Sequence, residues 1–185
     1  MQYNFPNKLY NVIYADPPWK YKNKMPQDGG RECLELGRYY DTMDTEDIMK
    51  IPVKKICHKD CACFLWVTDS HLHDGLQVLK SWGFTYKTIA FVWVKKTKNG
   101  KEAVTTAPWT LKSTEICLLG TRGGMTKYKA ANNVRALTEA EKTIHSRKPD
   151  EIRKKIMQLF GGIPKIELFA REYVEGWDSW GNQLP

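Results

Sequence analysis

Apolar positions along this chain gather into short runs rather than alternating cleanly with polar ones. Leu9 to Ala15, Cys61 to Thr68, Thr88 to Lys95, Glu115 to Gly120 and Lys165 to Ala170 are rich in β-branched and aromatic residues. Runs of this kind predict strands covered on both faces. Helical spacing appears between some of them. Ser70 to Trp82 places Leu72, Leu76 and Leu79 on one stripe, with Asp69 or Ser70 as cap and Gly83 as stop. Pro149 to Phe160 opens on a proline suited to the first helical position and on two acids, Asp150 and Glu151, suited to the helix dipole there. Ile152, Ile156, Leu159 and Phe160 supply its buried face, and Gly161-Gly162 ends it. Strands alternating with helices predict an α/β layer structure around a largely parallel sheet. Lys22 to Arg38, Thr97 to Ser113 and Arg122 to Arg147 fit neither period and read as long loops, the usual place for function.

The 185 residues suit one domain, residues 1–185, with its own core. A formal charge of +8 changes the picture because it is uneven. Lys95, Lys96, Lys98, Lys101, Lys112, Arg122, Lys127, Lys129 and Arg135 crowd one segment holding few acids. Clustered cations suit a polyanion through counterion release, and a solvated basic surface is the plainer alternative. The start, "MQYNFPNKLYN", lacks the basic and apolar regions of a secretory signal, and the five cysteines are an odd number, so a reducing, cytoplasmic compartment is expected. The longest apolar run, "IAFVWV", is strand-sized and predicts no membrane span. No metal is expected: Cys57, His58, Cys61 and Cys63 lack the usual C-x-x-C spacing, and Cys61 and Cys63 sit in an apolar strand. His71 and His73 point to different faces of a helix start.

"NVIYADPPWKY" drives the first strand into Asp16, Pro17, Pro18 and Trp19. In open α/β sheets ligands bind beyond the carboxyl ends of strands, where Asp16 emerges. Two prolines fix the backbone and remove two N–H donors, so the turn offers carbonyls and a carboxylate, with Trp19 as a plane for a flat ligand. The group matching such acceptors donates two hydrogen bonds from an aromatic ring, as the exocyclic amine of adenine does. Accepting both hydrogens, at the Asp16 carboxylate and the Pro17 carbonyl, draws the nitrogen toward a pyramidal, nucleophilic geometry. The alternative is an ordinary Pro-Pro turn in which Asp16 bonds local backbone.

DPPW after an apolar strand resembles the catalytic motif of the MT-A70 family of S-adenosylmethionine-dependent adenine-N6 methyltransferases. Further blocks, "YYDTM", "CFLWVTDSHLHDGLQVLKSWGF", "STEICLLGTRG", "HSRKPDEI" and "KIELFARE" with "WDSWGNQL", resemble that family in its order over nearly the whole chain. The resemblance implies a Rossmann-like class I methyltransferase fold, a mixed, mostly parallel sheet with helices on both faces, and the catalytic motif ahead of the cofactor motif. It implies that Asp16, Pro17, Pro18 and Trp19 form the acceptor and stacking site for the adenine, and that Tyr40 covers the base. Lys148 resembles the lysine that pairs with the cofactor's carboxylate, and Asp16 is implied to border the cofactor as well. Arg171 resembles a residue at the cofactor ribose, and Asn182 with Gln183 the pair around its adenosine. Taken without the resemblance, Lys148, Arg171, Asn182 and Gln183 read as solvated polar residues.

There is no Gly-rich fingerprint; Ala170 and Arg171 stand where a dinucleotide loop would place glycines, so side chains are expected to hold the cofactor. Longer relatives enclose the cofactor adenine with a segment ahead of the catalytic strand, and a wall built differently is expected here. The implied partner is nucleic acid. The resemblance is greatest to the stand-alone bacterial and phage branch, which favours DNA over RNA; an RNA methyltransferase and a catalytically inactive nucleic-acid-binding subunit are the alternatives. Methylation of a glutamine amide fits less well, since related enzymes begin the Pro-Pro turn with asparagine. A homodimer or a partner subunit is left open.

Overall fold

The computed structural model describes residues 3–20, 42–107, 109–143 and 147–185. Tyr40 and the whole of Lys22 to Arg38 lie outside them. Seven strands form one sheet: β1 (Tyr10–Ala15), β2 (Cys57–Val67), β3 (Thr85–Lys96), β4 (Thr114–Arg122), β5 (Leu137–Glu141), β6 (Lys165–Leu168) and β7 (Asp178–Trp180). Their order is β5-β3-β4-β2-β1-β6-β7. β4 runs antiparallel to β2 and β3, and all the other pairings are parallel. The carboxyl ends of β1, β2, β3, β5, β6 and β7 therefore share one edge with the start of β4.

Both faces of the central strands β1, β2 and β6 are covered, which explains their unbroken apolar runs; β3, expected to be covered likewise, has Thr85 to Ile89 exposed. Ile13, Ala15, Cys63, Leu65 and Val67 face α1 (Thr45–Lys50) and α2 (Leu72–Ser81), where Ile48, Val78, Leu79 and Trp82 are buried. The intervening residues Val12, Tyr14, Phe64 and Trp66 face α3 (Asp150–Phe160) through Ile152, Ile156 and Phe160. Each Val, Leu, Ile or Phe among them contributes about 1.5–3 kcal/mol when fully buried.

Several details differ from the sequence reading. α2 is preceded by a short 3-10 turn over Asp69–His71, so its cap is His71 rather than Asp69 or Ser70. Its buried positions are Gly75, Val78 and Leu79, with Leu76 partly buried against the core and Leu72 exposed. Pro149 stands just outside α3 as its cap, and Gly161, at φ 62°, ends it. The described residues of the Thr97 to Ser113 stretch form an arm beyond β3 and β4: the Thr105 and Lys112 amides each donate to the other's carbonyl, at 2.7 and 2.9 Å, and the Ala103 amide donates to Lys95 O at 2.8 Å. β5 lies inside the stretch read as a loop from Arg122 to Arg147; it is an acid-bearing edge strand with only Thr138 buried, so it carries no apolar run. The crowded cations do not form one face. Lys95, Lys96 and Lys112 stand at the carboxyl edge, paired with Glu115, Glu139 and Asp69, while Arg122 and Lys127 stand at the opposite end of β4, where Lys127 pairs with Asp60. Among the described residues no helix is long and apolar enough to cross a membrane.

Candidate active site

Asp16 leaves the end of β1, in the middle of the sheet, with its side chain 22% exposed. Lys148, on the approach to α3, places Nζ 2.7 Å from Asp16 Oδ2 and 3.2 Å from Glu115 Oε2. Glu115 uses its other oxygen to accept from Lys95 at 2.6 Å. Two ammonium groups and two carboxylates thus alternate across β3, β4 and β1 and neutralise one another in a largely buried position. Burial raises the Asp16 carboxyl above its ordinary range, while Lys148 and the more distant Arg171 favour its charged form. Burial works the same way on Glu115, but Lys148 and Lys95 together hold that carboxyl below its usual range. Lys148 titrates above a normal lysine despite burial, because both carboxylates face it. Its Nζ also sits 5.4 Å from the centre of the Trp66 ring.

The turn after Asp16 is fixed on three sides. The Trp19 amide donates to Pro17 O at 2.9 Å, and the Met43 amide donates to Pro18 O at 2.8 Å. Each of these carbonyls thus accepts one backbone amide, and with two lone pairs Pro17 O keeps capacity for a second donor, as Pro18 O does. Trp19 is only 7% exposed: its Nε1 donates to Trp66 O at 3.0 Å, and its ring lies 5.3 Å from His71 at an interplanar angle of 23°. In this arrangement the indole anchors the turn to β2, with one face against His71, instead of standing open as a plate.

The end of β6 lies beside that of β1, and the end of β7 beside β6. Phe169 follows β6 with φ 61°, a left-handed conformation costing about 1–3 kcal/mol that collects at functional sites. Its ring packs edge-on against Trp180 at 5.8 Å, and Phe5 meets the same indole at 4.8 Å. The Ala170 amide donates to Trp180 O at 3.0 Å, so the two strand ends are tied together. Arg171 follows Ala170, and Asn182 and Gln183 follow Gly181 with both side chains exposed. At about 4.8 Å per strand, the exit of β7 lies roughly 10 Å from that of β1. Lys148 and Asp16 are thus brought into contact, while Asn182 and Gln183 stand two strands away along the same edge.

Gly181 is set by close approach. A Cβ there would lie 2.3 Å from Ala170 O and 2.7 Å from Ala170 N, both backbone atoms. Gly181→Ala is expected to push the β7 exit from β6 and cost about 1–3 kcal/mol. At about 2–4 °C per kcal/mol, thermal denaturation should show a drop of several degrees; an unchanged midpoint would mean the two exits part without cost.

Glu115, Trp66 and Phe169 carry no role in the sequence reading, and Lys95 stands there only among the clustered cations. A lone acid opening the otherwise apolar strand "EICLLG" is the signal that marks Glu115. Phe169 leaves none, because its significance is a backbone angle.

The MT-A70 family profile matches residues 10–183. The chain is 35% identical over 192 residues to the Type II methyltransferase M.MunI of a Mycoplasma species, covering 97% of this chain and 80% of that protein. It is 32% identical to a putative N(6)-adenosine-methyltransferase MT-A70-like protein of Medicago truncatula and 29% identical to the human N(6)-adenosine-methyltransferase catalytic subunit METTL3, over 95% of this chain in both cases. The chain spans about a quarter of those two longer relatives, 26% and 28%. With the profile running from the first residue of β1 to Gln183, through DPPW and Lys148, the chain belongs to the MT-A70 family.

Proposed function

We propose that this protein methylates the N6 amine of adenine in nucleic acid, with DNA as the favoured polymer and S-adenosylmethionine as the methyl donor. The observation that carries the reading is the 2.7 Å contact between Lys148 and Asp16, which joins two motifs 132 residues apart at the carboxyl edge of the sheet. The favoured polymer rests on the resemblance of its motifs to the bacterial and phage branch, alongside the 35% identity to the Type II methyltransferase M.MunI.

The donor set fits the cofactor by its chemistry. An ammonium has three donors; Lys148 commits two to Asp16 and Glu115, and a third suits a cofactor carboxylate. Exposed amides at Asn182 and Gln183 suit the hydroxyls and ring edge of an adenosine, and Arg171 stands on the strand exit between. When bound, S-adenosylmethionine supplies an electrophilic methyl on a sulfonium. The chain's own residues orient the acceptor: Asp16 and Pro17 O take the two amine hydrogens, and the Trp19 anchor keeps that turn from moving. Asp16 is then the base at hand for the proton the nitrogen sheds. Tyr40 is proposed to cover the base. In a duplex the target nucleotide must first leave the stack, at a cost of about a few kcal/mol. A homodimer or partner subunit is compatible with this reading.

The test is incubation with isotopically labelled cofactor and separate DNA and RNA pools, followed by nucleoside mass spectrometry. Labelled N6-methyladenine from the DNA pool is expected. Label confined to RNA would change the polymer, and no cofactor binding at millimolar concentration would favour an inactive nucleic-acid-binding subunit.

A further inference from the structure

The arm beyond β3 and β4 carries the most exposed large side chain among the described residues: Trp109 is 95% exposed, and Leu111 is 69% and Val104 51% exposed nearby. A tryptophan held in water at the end of the arm has no packing role in the fold. The arm is not remote from the chemistry. Its base is joined to Asp16 through Lys95, Glu115 and Lys148. Its returning strand is joined to the DPPW turn along a second route: Lys112 pairs with Asp69 at 3.0 Å, and His71, in the same 3-10 turn, lies against Trp19. Exposed Lys98 and Lys101 accompany the indole, against a single acid, Glu102, in the arm.

We infer that Trp109 stacks on a nucleobase flanking the target adenine, with Lys98 and Lys101 holding the adjoining phosphates; the inference rests on the nucleic-acid reading above. Charge selects this occupant. One aromatic plane among lysines and threonine hydroxyls matches a stacking platform for nucleic acid, whereas a stable protein interface needs about 800 Å² per partner around an apolar centre. Arg and Lys beside an aromatic also reinforce stacking through the cation's attraction to the ring. Extruding a base leaves its neighbours without a stacking partner, and an indole reaching them from the same edge offsets that loss.

The test uses the full chain and a fluorescein-labelled 20-mer DNA containing one adenine, single-stranded and as a duplex. Because Trp109 makes no core contact, Trp109→Ala should leave the melting midpoint and S-adenosylmethionine affinity unchanged. Its affinity for the 20-mer should fall about 5- to 150-fold, as for the loss of one stacked base, while Trp109→Phe keeps most of the affinity. Wild-type tryptophan fluorescence should be quenched by unlabelled 20-mer, and the quench should shrink in Trp109→Phe. Equal affinities for wild type and Trp109→Ala would overturn the inference, as would a wild-type dimer that Trp109→Ala turns into monomer in sedimentation. The two readings fail separately. If the wild type methylates no adenine yet Trp109→Ala loses 20-mer affinity, the stacking surface stands and the reaction does not; if the wild type methylates and Trp109→Ala binds equally well, only the stacking surface falls.

Discussion

Asp16→Ala is expected to lower methyl transfer by about two to three orders of magnitude, since it removes an acceptor placed where charge develops on the reacting nitrogen. Cofactor binding should persist, because Lys148 keeps Glu115 at 3.2 Å and the β6 and β7 exits are untouched. Lys148→Ala should divide the effects the other way, weakening S-adenosylmethionine by about tenfold or more in calorimetry, the scale of a charge-assisted contact. It also removes the cation that favours ionised Asp16. Burial already raises that carboxyl, so without Lys148 its pKa rises further and the acid limb of the kcat/KM profile should move to higher pH. Comparable turnover in Asp16→Ala would remove Asp16 from the mechanism. An unchanged cofactor dissociation constant in Lys148→Ala would reject the carboxylate contact.

Glu167→Ala should be the most damaging single change to stability. Arg153, on α3, donates from Nε and Nη2 to the two oxygens of Glu167, on β6, at 2.8 and 3.0 Å, with the side chains only 11% and 10% exposed. Truncating the acid leaves a buried guanidinium partly uncompensated, a loss of about 3–5 kcal/mol. Asp150, 2.6 Å from Arg153 Nη1, moderates this toward the lower figure. A melting midpoint lower by about 6–12 °C is expected, while the double change Arg153→Met with Glu167→Leu should recover much of it, because two apolar groups need no partner. A midpoint within about 2 °C of wild type would show that the pair contributes little. The pair also serves the site. Arg153 reaches Glu172 at 3.3 Å, and Arg147 bonds Asp150 and Glu172 at 3.3 and 3.2 Å, so the segments carrying Lys148 and Arg171 are held to each other.

Five of the seven strands are legible in the sequence to within about four residues at either end: β1, β2 and β6 because a strand packed on both faces must be apolar at consecutive positions, β3 and β4 because their β-branched and aromatic residues favour a strand even where partly exposed. β5 and β7 are not, since edge strands need little burial; β7 has three residues, none fully buried. α1 is missed for a related reason. It spans only Thr45–Lys50 and buries Thr45 and Ile48, too few positions for a period to appear. DPPW and the lysine of "HSRKPDEI" are visible as motifs, but their contact across a separation of 132 positions is not, because nothing in the chain between them states which strand ends become neighbours.

By itself the sequence determined the α/β class, the family, the carboxylate at the end of the first strand and the lysine before the last long helix. The class and the carboxylate follow from local chemistry, side-chain volume and proline's missing N–H, while the family and the lysine follow from the resemblance of the ordered motifs. Only the tertiary structure decided that Glu115 and Lys95 share the charge around Asp16, that Trp19 is a buried anchor and that Trp109 stands in water beside the same edge. Each of these depends on strand order and on which face a side chain meets, and those are set by packing between segments far apart in the chain.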